Sequence, residues 1–218
     1  MKRFYSIAAL VLVLTTRLFA QSSFEGVINM TTSVPMLGIS ELPLTVSAKG
    51  DRLKMVTDFM GMGELDVYVD KPAGRIVAIM ASMNSGYELD MKKLERTNEN
   101  QIVPEAAPTG AKETINTYKC TEFACMLKDS VEMKLWMTKD MPNTMQKAIL
   151  NSFAGTLQSM QIDVAPFEKL MNDGYAPIRT IIKKDGAEQL ALTLNKYERK
   201  QLEDAIFVIP TNIPLEKR

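Results

Sequence analysis

From Phe24 to Ile209 the chain alternates apolar and polar residues in short runs, and most runs stop at turn-forming residues. A period of two puts successive side chains on opposite faces of an extended strand, so the pattern commits most of the chain to sheet. Residues 24–31 place Phe24, Gly26, Ile28 and Met30 on one side. Residues 44–48 and 53–57 flank the hairpin turn Lys49-Gly50-Asp51-Arg52, with Leu44, Val46, Leu53 and Met55 facing inward. Leu65, Val67 and Val69 alternate with Asp66, Tyr68 and Asp70, and the turn at 71–74 leads into a strand over 75–80. A short strand follows at 87–90. Residues 113–127 and 131–138 meet at Lys128-Asp129-Ser130, and strands return at 177–183, 189–197 and 205–209.

The period changes after residue 140. Met145, Ile149, Phe153, Leu157 and Met160 recur near helical spacing, with Asn143 or Thr144 available as a cap. A shorter helix is predicted over 166–171, preceded by Asp163 and ended by Gly174. Residues 96–112 carry Pro104 and Pro108 without apolar periodicity and read as a long connection. The sum is an α+β chain, mainly β. It comprises roughly nine to eleven antiparallel strands with a helical excursion over about 143–172, which fits a curved sheet packed on a helix.

The amino-terminal residues have a different pattern. Lys2 and Arg3 precede the apolar run Ile7–Leu14, and Leu18-Phe19-Ala20 follows the polar Thr15-Thr16-Arg17. This is the order of a removable secretory signal, with cleavage expected after Ala20. The apolar run is about half the ~20 residues that a membrane span needs. No cysteine follows it, which argues against a lipid-anchored amino terminus. The reading is therefore a signal peptide over 1–20 and one β-rich domain over 21–218. The protein is expected to be periplasmic or secreted, and not membrane-spanning once the signal is removed.

Composition narrows the chemistry. Loss of Lys2, Arg3 and Arg17 with the signal takes the basic residues from 26 to 23 against 26 acidic ones. That near-balance argues against nucleic-acid binding, which needs a concentrated basic face. The sequence contains no histidine. Histidine-based triads, imidazole metal sites and the usual acid–base side chain near neutral pH are therefore excluded. No activated serine or cysteine motif and no phosphate-binding glycine loop is present, so no catalytic residue, cofactor or metal is assigned. In an oxidising compartment Cys120 and Cys125 invite a disulfide. On one strand, however, their spacing is about 16 Å, so they pair only if residues 121–124 form a turn.

Sixteen methionines are the unusual abundance. Ile28, Met30, Met55, Met80, Met133 and Met137 on the sheet, with Ile149 and Phe153 on the helix, form the candidate ligand-binding set. Met145 and Met160 lie on the same predicted helix. Flexible thioethers suit surfaces that accept varied apolar partners, and they also simply fill cores. The segments at 33–39 and 58–63 read as loops that carry apolar residues, as a cavity mouth, a partner patch or a flap over the core. Met60 and Met62 with the two cysteines raise a soft-metal reading, but nothing in the spacing makes them converge. Trp136 lies on the face opposite Met133 and Met137, where it either packs or anchors a partner. Asp66, Asp70, Glu88 and Asp90 alternate as solvated faces do.

Four stretches resemble the exported domain-of-unknown-function 4412 family. Ile115-Asn116-Thr117-Tyr118-Lys119-Cys120-Thr121-Glu122-Phe123 is similar to its G-Y-K-C-x-x-Y, with Thr117 in place of the usual glycine. Leu135-Trp136-Met137-Thr138-Lys139-Asp140 is similar to L-W-x-T-K-D, Tyr87-Glu88-Leu89-Asp90 to Y-x-x-D, and Phe207-Val208-Ile209-Pro210 to the closing F-x-I-P. The resemblance implies an architecture like that of the Lol-type lipoprotein carriers: a strongly curved, unclosed antiparallel barrel around a helical lid. It implies no catalytic residues.

The expected function is a non-enzymatic binding protein that holds a lipid or other apolar ligand between sheet and helix. The alternative is a cell-envelope structural or interaction module without a ligand cavity, contacting an envelope protein. No sequence feature sets an oligomeric state.

Overall fold

The computed structural model describes residues 24–35, 38–58, 61–90, 105–127, 130–142, 145–146 and 165–217. The first meander runs β1 (Glu25–Val34), β2 (Ile39–Lys49), β3 (Arg52–Asp58), β4 (Glu64–Asp70), β5 (Arg75–Met80) and β6 (Ser85–Asp90). The second runs β7 (Ala107–Ile115), β8 (Tyr118–Met126), β9 (Val131–Thr138), helix α1 (Ala165–Asn172), β10 (Ala176–Lys184) and β11 (Ala187–Arg199), and β12 (Leu215–Lys217) closes the chain order. All twelve strands form one sheet in the order β12-β6-β5-β4-β3-β2-β1-β11-β10-β9-β8-β7. Pairing of β1 with β11 joins the meanders. Every neighbouring pair is antiparallel except β12, which lies parallel to β6.

The expected hairpins at 49–52 and 71–74 are present, and Leu44, Val46, Leu53 and Met55 are buried as their alternation requires. Several boundaries differ from expectation; β1 runs on to Val34 and β2 already begins at Ile39, so both ends of the segment read as a loop at 33–39 are strand. The run 113–127 is two strands, because Asn116 takes a left-handed backbone (φ 54°) and turns the chain at Asn116-Thr117. Asparagine tolerates that conformation, and the apolar–polar alternation across the turn conceals it. The predicted connection 96–112 gives way to β7 at Ala107. Pro108 is accommodated because β7 is the sheet's edge and the register slips between Pro108 and Lys112. Residues 205–209 are not a strand: Asp204–Phe207 forms a 3-10 turn, and the final strand is β12.

The sheet has two free ends and is rolled rather than flat. Open twisted sheets of more than about ten strands curl, and the bulges show where. Asn195 is an extra residue in β11 and Ile178 in β10, each breaking the register with its neighbour. The consequence is visible at the β7–β8 flank. Asn116 Nδ2 donates to Leu194 O at 2.7 Å, although β9 and β10 separate β8 from β11, about 14 Å in a flat sheet.

One face of the roll is continuous and apolar. Ile28, Met30, Val46, Met55, Ile76, Phe123, Met133, Leu135, Met137, Ile178, Ile182, Leu192 and Leu194 belong to a single buried cluster that spans both meanders. Helix α1 matches the predicted 166–171. Gly174 (φ 84°) ends it, with Gly174 N–H donating to Met171 O and Tyr175 N–H to Leu170 O. Leu170 enters the buried cluster, and the Tyr175 ring meets Phe123 edge-on at 5.0 Å. An ion pair between Lys169 and Glu105 ties the helix to the chain ahead of β7. The expected cap residues Asn143 and Thr144, and Ile149, Phe153, Leu157 and Met160 of the longer helix expected from the sequence, lie outside the described residues.

The chain after β11 straps the opposite face. Glu25 accepts a hydrogen bond from Leu202 N–H at 2.7 Å, and Lys49 Nζ donates to Leu202 O at 2.8 Å. Asp204 pairs with Arg52 at 2.6 Å and Lys49 at 3.2 Å, and the Arg52 guanidinium sits 5.2 Å above the Phe207 ring. Farther on, Ile213 completes a second small core with Tyr68, Val77 and Ile79. Tyr68 is therefore buried where alternation alone would expose it. Gly86 permits β12 to dock, since a β-carbon there would meet Leu215 Cδ2 at 2.7 Å and Ala78 O at 2.9 Å.

Two outcomes follow from this packing. At Gly26, on β1, a β-carbon would sit 2.1 Å from Glu198 O, so Gly26→Ala forces the seam apart. Urea unfolding of that variant is expected to show a loss of ~1–3 kcal/mol, the usual cost of overpacking. The clasp on Glu25, Lys49 and Asp204 makes stability depend on pH. Hydrogen bonds from Arg52 and then Lys49 hold the Asp204 carboxyl below its ordinary value, Leu202 N–H and then Lys49 lower that of Glu25, and Asp204 raises that of Lys49. The carboxylates thus stabilise the fold above their unfolded values near pH 4 and lose that contribution as pH falls through the folded ones. Lys49 contributes below its unfolded value near pH 10.5 and loses it as pH rises through its folded one. Thermal unfolding across pH should show a steeper fall of Tm below about pH 4.5 in the native chain than in a Glu25→Gln/Asp204→Asn variant.

Candidate functional site

The inner face is built by register. β10 lies between β9 and β11, so Met133 stands opposite Ile182, Leu135 opposite Thr180, and Thr180 opposite Leu192. Across the seam, Leu194 stands opposite Met30 and Met30 opposite Leu44. Ile28 stands opposite Val46, and Val46 opposite Met55. The rolled sheet therefore brings Ile28, Met30, Met55, Met133 and Met137 of the candidate set onto one surface, all of them buried. Met80 shares the face, opposite Leu65 at the far end of β4 and β5, but is only half-buried and stands apart from the cluster. Ile149 and Phe153 lie outside the described residues, as does Met160.

Two further methionines join this surface. Met141 and Met145 are buried in the same cluster, just beyond the end of β9. Gln146, also buried, holds that segment: its Nε2 donates to Met141 O and to Gly174 O, both at 3.1 Å. The chain after β9 is thereby fastened to the end of α1. Met145 carried a helical signal in the sequence. Met141 carried none, because it precedes the periodic run.

The inner face is nearly free of polar groups. Thr180 is fully buried there, and its hydroxyl makes no hydrogen bond among the described residues. At the rim, Tyr118 on β8 approaches Tyr197 on β11. Burial first and then the neighbouring phenol push the Tyr118 hydroxyl up to about 12.

Cys120 and Cys125 are buried on β8 and not joined by a disulfide, because residues 121–124 stay extended rather than forming the turn that a disulfide needs. Burial pushes the Cys120 thiol up to about 11, so it stays protonated near neutral pH.

Several acidic side chains of the sheet are spread apart and held by basic or hydroxyl partners. Asp66 pairs with Lys54 at 2.8 Å and accepts from the Tyr68 hydroxyl at 3.1 Å. Glu88 lies 3.7 Å and Asp70 3.9 Å from Arg75, while Glu122 lies 3.5 Å from Lys134. Among the described residues no three His, Cys, Asp or Glu side chains gather into a metal site. Met62 is on the β3–β4 connection, on the other half of the sheet from β8, and Met60 lies outside the described residues.

The loops differ in character. Met62 and Met83 are exposed at 47% and 62% on neighbouring connections, joined where Ser82 Oγ donates to Met62 O at 2.8 Å. Met36 and Leu37 of the 33–39 segment lie outside the described residues. Trp136 is half-buried and packs against the main cluster. No described helix is long and apolar enough to cross a membrane.

No curated protein matches the sequence. Solved structures similar to the chain include PNGF-II, at 12% identity and a TM-score of 0.45, over 89% of this chain and 31% of that one. The chain thus spans about a third of PNGF-II. The lipoprotein LppX of Mycobacterium tuberculosis is similar at 13% identity and a TM-score of 0.46, over 90% of this chain and 98% of LppX. A LolA-superfamily protein of Nitrosomonas europaea shares 12% identity at a TM-score of 0.34, over 88% and 92% of the two chains. The model of one family, described as a domain of unknown function (DUF4412), matches residues 24–213, so the chain belongs to that family.

Proposed function

We propose that this protein is an exported, non-enzymatic carrier that holds an apolar ligand such as an acyl chain against the inner face of its rolled sheet. The observation that carries the reading is the convergence of Met30, Met55, Met133, Met137, Met141 and Met145 in one buried cluster. An unbranched thioether adjusts its three torsions at little cost, so a face lined this way can repack around a guest where branched side chains cannot. Affinity would come from apolar area removed from water, at ~25 cal/mol per Å². The segment at 147–164, with Ile149 and Phe153, is proposed as the lid that completes the enclosure. Export rests on the signal pattern at 1–20. The protonated Cys120 thiol and the partnered carboxylates support a role without catalysis.

A second reading, an interaction module of the cell envelope, is favoured by the exposed Met62 and Met83 on adjoining loops. The two are separable. Chloroform–methanol extraction of the purified exported protein, followed by mass spectrometry, is expected to release an acyl compound in near-stoichiometric amount, and Met62→Ser/Met83→Ser should leave that content unchanged. An empty extract, together with no uptake of labelled phospholipid from vesicles, would overturn the carrier reading.

A further inference from the structure

Thr180 is out of keeping with its surroundings. It occupies the middle of β10 on the inner face, between Leu135 of β9 and Leu192 of β11, both fully buried. The surroundings on either side of it are apolar: Met133 opposite Ile182 on one side, and Met137, opposite Pro177, with the bulge residue Ile178 on the other. Its own exposure is 0%, and among the described residues its Oγ1 has no hydrogen-bond partner. The contrast with Thr32 is instructive. That threonine, opposite Leu192 on β1, satisfies its hydroxyl by donating to Ala191 O at 3.0 Å.

A buried hydroxyl left unpaired disfavours the state in which it is unpaired, whereas a valine would fill the same space without that penalty. The group has a use only if another state of the protein gives it a partner. Resting on the carrier reading, we propose that Thr180 Oγ1 donates a hydrogen bond to the carbonyl oxygen of a bound neutral acyl ester, and so sets the depth at which the ester lies among the methionines. Neutrality follows from the same surface. The buried polar residues are Thr32, Glu122, Thr138, Gln146 and Thr180, and no lysine or arginine is among those described. A carboxylate head placed beside Thr180 would be a buried, unpaired charge, which is far more costly than a buried ester.

The test uses the full exported chain, stripped of lipid, and measures equilibrium binding of methyl palmitate, hexadecane and palmitate to the native protein and to Thr180→Val and Thr180→Ser. Native protein is expected to bind methyl palmitate about five- to tenfold more tightly than hexadecane, the scale of one net hydrogen bond, and to bind palmitate more weakly than the ester. Thr180→Val should lose the preference for ester over hydrocarbon while the ligand-free protein melts no lower than native. Thr180→Ser should retain the preference. Equal binding of ester and hydrocarbon by native protein, an undiminished ester preference in Thr180→Val, or tighter binding of palmitate than of ester would each overturn the anchor while leaving the carrier reading intact. Binding of none of the three probes would overturn both.

Discussion

The pairing of β1 with β11 is the interaction on which the rest depends. Apart from the long connection between β9 and β10, which carries α1, each meander is assembled from consecutive hairpins, which close short loops at small entropic cost. The seam instead joins residues as far apart as Gly26 and Arg199. Without it there are two separate sheets, each with an exposed edge and half an apolar face. The close approach at Gly26, which leaves no room for a side chain beside Glu198 O, shows how tightly the two halves are drawn together. The tail belongs to the same junction, since Glu25 and Lys49 hold Leu202 just beyond the end of β11.

Rolling makes that seam part of one continuous apolar surface. The extra residues Asn195 and Ile178 bend β11 and β10, and the β7–β8 tip comes back far enough for Asn116 to reach Leu194 O. The concave side then gathers methionines from strands that are distant in sequence. The convex side of the first meander is covered by the carboxy-terminal strap, which buries Tyr68, Val77 and Ile79. One sheet thus has a plastic inner face and a locally fastened outer one. That division suits the carrier proposed above, in which a guest would enter without unfolding its host.

Much of this was legible in particular residues. The turn at Gly50-Asp51, the inward set Leu44, Val46, Leu53 and Met55, and the helix stop at Gly174 all depend on local rules of period and backbone freedom, and the structure has each of them. The Asn116-Thr117 turn was hidden because alternation continues through it. Burial of Tyr68 was hidden because it depends on Ile213, more than a hundred residues away. Of the candidate binding set, Ile28, Met30, Met55, Met133 and Met137 could be placed on one side of their own strands, but not beside one another. Met141 had no periodic signal, and nothing within the strand expected over 177–183 set Thr180 apart.

The amino-acid sequence by itself determined that this is a mainly β chain without histidine chemistry, and it determined which side of each central strand is apolar. These are matters of composition and of a two-residue period, and they need no knowledge of distant neighbours. Only the tertiary structure decided that the apolar sides form one surface, that the tail covers the opposite one, and that Thr180 is stranded among leucines and methionines. Register across non-consecutive strands and the curl imposed by bulges set those outcomes, and both depend on contacts between residues far apart in the chain.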